Sequence, residues 1–103
     1  MSILVEFSVL PVGKGVSLSP TIAKIFAIVM ESGVRYKANP MGTVLEGEWD
    51  AVMAVIRKCH VEAMNDSERV VTSIKIDDRR GGEARMEKKL ESVEKKLGKP
   101  LVK

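Results

Sequence analysis

The residues of this chain best able to do chemistry are few, and their spacing suits little of it. Cys59 and His60 are the sole cysteine and the sole histidine. Side by side on a helix they diverge by about 100 degrees, so they cannot serve each other as nucleophile and base. A zinc site would need carboxylates that no recognisable spacing supplies, and His60 is expected to pack or cap. Gly13-Lys14-Gly15 lacks the length and the Ser/Thr of a phosphate loop. Arg79-Arg80-Gly81-Gly82 precedes a helix and could hold an anion, but it reads first as a basic exposed turn. Glu46, Glu48 and Asp50, near another helix start, are accounted for by the helix dipole. What remains is a set of small polar residues on strands: Glu6, Ser8, Thr43, Ser73 and Lys75, ringed by Leu4, Leu10, Met41, Leu45 and Val71. Such a mixture suits the floor of a small-molecule pocket. It equally suits an exposed sheet on which Glu6 and Lys75 form a cross-strand ion pair.

The elements that would position these residues follow from periodicity. Residues 1–10 alternate, with Ile3, Val5, Phe7 and Val9 on one face and Leu4, Glu6, Ser8 and Leu10 on the other. Ser19-Pro20 opens a helix as N-cap and first helical residue, its apolar stripe is Ile22, Ile25, Phe26 and Val29, and Gly33 ends it. VRYKA and MGTVLEG flank the turn dipeptide Asn39-Pro40 as a hairpin. A second helix spans about 48–64, with Trp49, Val52, Met53, Ile56, His60 and Ala63 on one face. Residues 69–77, RVVTSIKID, form a β-branched strand. A third helix begins near Glu83, carries Met86, Leu90, Val93 and Leu97, and stops at Gly98 and Pro100.

The order β-α-β-β-α-β plus a C-terminal helix predicts an α+β, ferredoxin-like sandwich in one domain, residues 1–103. The expected strand order is 4-1-3-2, antiparallel apart from strands 1 and 3, with both main helices on one face and the other face bare. Val70, Thr72, Ile74 and Ile76 are assigned to the helix side with the apolar face of strand 1. On strand 3, Gly42 and Val44 are assigned there too, the glycine permitting close helix approach. Met41, Thr43 and Leu45 are thereby expected on the bare face with Glu6, Ser8, Ser73 and Lys75. An apolar rim of that kind favours a second copy of the chain as its cover. The third helix could cover its own sheet or pack on a neighbour.

Composition excludes several classes. The 17 basic and 14 acidic residues give a net charge of +3, too slight to indicate nucleic acid. Base stacking on this topology would need aromatics on the exposed faces of strands 1 and 3; strand 3 has none, and Phe7 is assigned to the helix side. Phosphatase chemistry would need an arginine in the first strand–helix loop, where only Lys14 stands, and metal carriage would need a Cys-x-x-Cys pair. No apolar run approaches the roughly 18 residues of a membrane span, and the N-terminal run lacks the basic leader of a signal peptide. A lone cysteine accords with a cytoplasmic location.

SVLPVG (8–13), SGVRYKANPMGTVLEG (32–47) and RVVTSIKIDDRR (69–80) together resemble the small thiamine-binding family. The resemblance covers nearly the whole chain and is most specific in the run Tyr36, Asn39-Pro40, Thr43, Glu46-Gly47. It implies non-enzymatic binding of thiamine, or its aminopyrimidine part, at a pocket between the sheets of two protomers, with no cofactor. It also implies a homotetramer built as a dimer of dimers. Tyr36, Asn39 and Thr43 match the family's hairpin pattern; the face assignment adds Ser8, Ser73 and Lys75, and charge adds Glu6. The competing expectation is an oligomeric structural or regulatory module without a ligand, and more distantly a hydrolase working near Lys14, Arg79 and Arg80.

Overall fold

Alternating strands and singly striped helices assemble as the sequence predicts, with instructive exceptions. The structure is a computed structural model that describes residues 2–13, 19–81 and 85–102. Its elements are β1 (Ser2–Val12), α1 (Ser19–Glu31), β2 (Arg35–Lys37), β3 (Thr43–Glu48), α2 (Trp49–Asp66), β4 (Arg69–Asp77) and α3 (Arg85–Leu97). The four-stranded sheet runs β2-β3-β1-β4, the expected order read from the other edge. The fold is therefore the α+β arrangement anticipated.

One expectation about strand direction fails. β3 is antiparallel to β1, and every pairing in the sheet is antiparallel. The β-α-β crossover makes β1 and β2 co-directional, and the hairpin then reverses β3 relative to both.

The apolar face of β1 meets the helices as anticipated: Ile3, Val5, Phe7 and Val9 are buried, and they cluster with Ile25 and Val29 of α1 and Val52, Val55, Ile56, Cys59 and Ala63 of α2. Burying so much branched aliphatic surface is the main stabilising term. On α2 the expected stripe is turned slightly. Trp49 is 48% exposed, whereas Val55 and Cys59 join the core. Burial in this apolar setting pushes the Cys59 thiol up to about 11, so it packs as a small hydrophobe. His60 is held by its Nδ1, 2.6 Å from Thr72 Oγ1, tying α2 to β4 and confirming that Thr72 lies on the helix side.

Strand 3 has the opposite parity from that expected. Thr43 stands opposite Phe7, and Leu45 opposite Val5, so both lie beneath the helices, while Val44 stands opposite Glu6 and Glu46 opposite Leu4. Leu45 is fully buried and Thr43 is 6% exposed. The role assigned to Gly42 was the source of the error. A Cβ there would stand 3.1 Å from Glu6 Cγ and 3.4 Å from the Phe7 carbonyl oxygen, so the glycine admits Glu6 on the outer face instead of a helix on the inner one.

The outer face is not wholly bare, because α3 crosses one end of it. Glu46, expected to serve the α2 dipole, accepts from the Met86 N–H at 3.2 Å in the first turn of α3 and from Arg35 Nη1 at 2.7 Å. Arg35 also pairs with Glu87, and Lys89 with Asp77. The helix stops where anticipated: Gly98, at φ 76, donates its N–H to the Glu94 carbonyl at 2.8 Å, a left-handed cap open to glycine. The Ser19 cap, Lys14 and the Glu83 helix start lie outside the described residues or side chains.

Candidate functional site

A cavity of about 700 Å³ opens at one end of the sheet, on the side covered by α1. Residues 7–10 of β1 and the 38–42 connection of the hairpin form two of its walls. α1 supplies the third through Ile22, Ile25 and Phe26, and Thr43 at the start of β3 completes the lining. Local sequence explains each wall. Asn39-Pro40 makes the hairpin turn, closed by the Gly42 N–H donating to the Asn39 carbonyl at 3.3 Å. The α1 stripe is wide enough that Ile25 enters the core while Phe26, one residue on, is left partly open toward the cavity.

Thr43 is the polar group of most interest. It is almost wholly buried, yet among the described residues its hydroxyl makes no hydrogen bond. The fully enclosed side-chain oxygen that lacks a partner in the described structure is Ser67 Oγ, not this one, so the Thr43 hydroxyl retains access to the cavity space. Facing that recess, the hydroxyl is free to hydrogen-bond to a polar group that a ligand brings in. Asn39 adds an amide able both to donate and to accept. The cavity therefore combines aromatic and aliphatic walls with a few convergent polar groups, the usual make-up of a small-molecule site.

The seven residues singled out from the sequence do not form one cluster. Ser8, Asn39 and Thr43 line the cavity together. Glu6, Ser73 and Lys75 lie in a shallower depression of about 170 Å³ on the outer face, which shares Phe7, Ser8 and Met41 with the cavity. Glu6 and Lys75 are register partners there, as are Ser8 and Ser73. Tyr36 is apart from both, beside Lys37, Met86, Glu87 and Leu90 where α3 passes β2. The sequence reading missed Phe7 and Phe26 as cavity residues, because each looked like an ordinary member of a core stripe. A second aromatic at the open end of α1 was the available signal.

At the α3 end, electrostatics act on position. Donating hydrogen bonds to Glu87 and then to Glu46 raises the Arg35 guanidinium further above its already high value, and the same contact with Arg35 lowers the Glu87 carboxyl. Among the described residues no group of three or more His, Cys, Asp or Glu side chains could hold a metal, and no helix is long and apolar enough to cross a membrane.

Comparison with known proteins matches a family model described as thiamine-binding protein over residues 5–94. A UPF0045 protein of Methanocaldococcus jannaschii is 36% identical over 91 residues, covering 88% of this chain and 91% of the relative. Its crystal structure superposes with a TM-score of 0.83 over 89% of this chain and 95% of that one. A UPF0045 protein of Mycobacterium tuberculosis is 36% identical over 101 residues, 97% of this chain and 99% of the relative. The structure of a domain of unknown function from Bacillus cereus is 32% identical, with a TM-score of 0.77 over 86% of each chain.

Proposed function

This chain belongs to the thiamine-binding protein family, and on that premise we propose that it binds thiamine, or the aminopyrimidine part of it, without chemical turnover. The observation that carries the reading is the Thr43 hydroxyl, which makes no hydrogen bond among the described residues and opens onto a cavity of about 700 Å³. An aminopyrimidine presents ring acceptors and an exocyclic amine donor on a flat apolar body. Phe7 and Phe26 suit the ring faces, while Thr43 and Asn39 suit its polar edge. Once the recess is closed off from water its hydrogen bonds discriminate strongly, since an analogue lacking one leaves the partner unmatched.

Ser8 joins this cavity to the outer depression of Glu6, Ser73 and Lys75. In our reading the thiazolium end lies toward Glu6, whose carboxylate offsets its charge. Leu10 and Met41 border the cavity and are exposed, Met41 at 91%. A second protomer covering them would complete the pocket and exclude water, in keeping with a homo-oligomer assembled as a dimer of dimers. Among the described residues that line it the cavity holds no nucleophile–base pair, and the proposed role is carriage or sensing in the cytoplasm.

Isothermal calorimetry with thiamine and with the free aminopyrimidine tests this. Saturable heat with one site per chain is the expected result. No heat and no thermal shift at millimolar ligand, from a protein that nevertheless assembles, would favour the structural-module reading instead.

A further inference from the structure

The outer depression of about 170 Å³ holds two opposite charges that do not neutralise each other. Glu6 and Lys75 are register partners across β1 and β4, and so are Ser8 and Ser73, two residues along on the same face. Neighbouring strands lie about 4.8 Å apart and residues two apart on one strand about 7 Å, so the four side chains mark the corners of a small rectangle. A carboxylate and an ammonium group directly opposite ordinarily attract into a cross-strand pair. Here they do not: among the described residues Glu6 and Lys75 make no ion pair, and the two serine hydroxyls make no hydrogen bond.

Gly42 supplies the reason. A Cβ at that glycine would stand 3.1 Å from Glu6 Cγ and 3.3 Å from Glu6 Cδ. The Glu6 side chain therefore leans over the hairpin toward the β3 side of β1, away from β4. Gly42 also lines the large cavity, so the carboxylate sits at the seam between cavity and depression. Lys75 is left on the far side, with the serines between them. Asp77, next along that face of β4, is engaged by Lys89 of α3, and Val44, opposite Glu6 on β3, brings no charge.

We propose that the site prefers a phosphate monoester of thiamine to thiamine itself, with the thiazolium beside Glu6 and the phosphate held by Lys75, Ser73 and Ser8. The proposal rests on the ligand reading above and names the charge the ligand carries. Thiamine alone is a monocation, which satisfies Glu6 but is opposed by Lys75. A phosphate monoester adds about −1.5 to −2 of charge at neutral pH, placed on the hydroxyethyl arm beyond the thiazolium. Each charge of the ligand then meets its opposite. The lysine brings a compact cation with three donors and each serine one more, a set suited to a tetrahedral oxyanion. Such charge-assisted hydrogen bonds exceed neutral ones in strength. Lys75 is the one cation among the described residues lining the depression, so the charge there matches one phosphate and not a diphosphate.

Calorimetry with thiamine and with thiamine monophosphate tests this on the wild-type chain and on Lys75→Met, circular dichroism confirming that the variant folds. The wild type is expected to bind the monophosphate at least about tenfold more tightly than thiamine. Lys75→Met should move the two ligands in opposite directions: the monophosphate weakens at least about tenfold, and thiamine tightens because a like charge has gone. Glu6→Gln should weaken both, since both carry the thiazolium. Thiamine bound as tightly as its monophosphate, or a Lys75→Met variant that keeps the wild-type preference, would overturn the phosphate assignment and leave the thiamine reading standing. Binding of neither ligand to the wild type would overturn both.

Discussion

Replacing the Thr43 hydroxyl with a methyl group, as in Thr43→Val, keeps the side-chain volume and the β-branched shape that a strand favours. What it removes is a hydroxyl that faces the cavity and makes no hydrogen bond among the described residues. The ligand-free protein should therefore melt at about the same temperature, since no hydrogen bond within the chain is lost. Affinity for thiamine should fall about tenfold, the equivalent of one hydrogen bond of about 1.4 kcal/mol. Calorimetry and a thermal melt on the same sample separate the two effects. An affinity that stays unchanged would take Thr43 out of the site.

At the scale of elements, α3 is the part most dependent on polar contacts. Glu46, whose side chain is 5% exposed, receives both Arg35 and the first turn of the helix. Glu46→Gln leaves the shape but weakens both interactions, and amide exchange throughout α3 should accelerate. The expected loss of docking free energy is about 1–3 kcal/mol. Acid should act in the same direction. Arg35 holds the Glu87 carboxyl below its ordinary value, so this contact contributes fully above the ordinary carboxylate range, roughly pH 4–5. The contribution is lost as pH falls through the depressed value. Hydrogen exchange at a series of pH values should accordingly find α3 protection constant down to that range and declining below it, while the β1–β3 core stays protected. Equal loss of protection in α3 and the core would mean that the helix is not held by this contact.

At the scale of the whole molecule, a β4 edge unpaired among the described residues, with exposed apolar residues on both of its faces, would make any self-association part of stability. If the edge is satisfied by a second copy, folding and association are linked, and the melting temperature should rise with protein concentration. Scanning calorimetry over a hundredfold range of concentration checks this. A wild-type melting temperature independent of concentration would place the edge in solvent.

The order of elements, the strand sequence and the helix-side faces of β1 and β4 were legible from periodicity. An alternating strand with one apolar face can bury that face in only one way, and Thr72 and Val5 settled where expected. β3 was not legible in this way, because Met41, Thr43 and Leu45 on one face and Gly42 and Val44 on the other differ little in polarity. Parity there followed from the position of the hairpin turn and from Gly42 making room for Glu6. The family was readable from the hairpin and β4 motifs, and the family model's match over residues 5–94 agrees. The division of Ser8, Asn39 and Thr43 from Glu6, Ser73 and Lys75, and of both groups from Tyr36, was decided only in three dimensions. A sequence determines which side chains alternate along each strand. Which residues share a cavity depends on how the end of α1, the hairpin turn and the strand ends meet, and that is a property of packing.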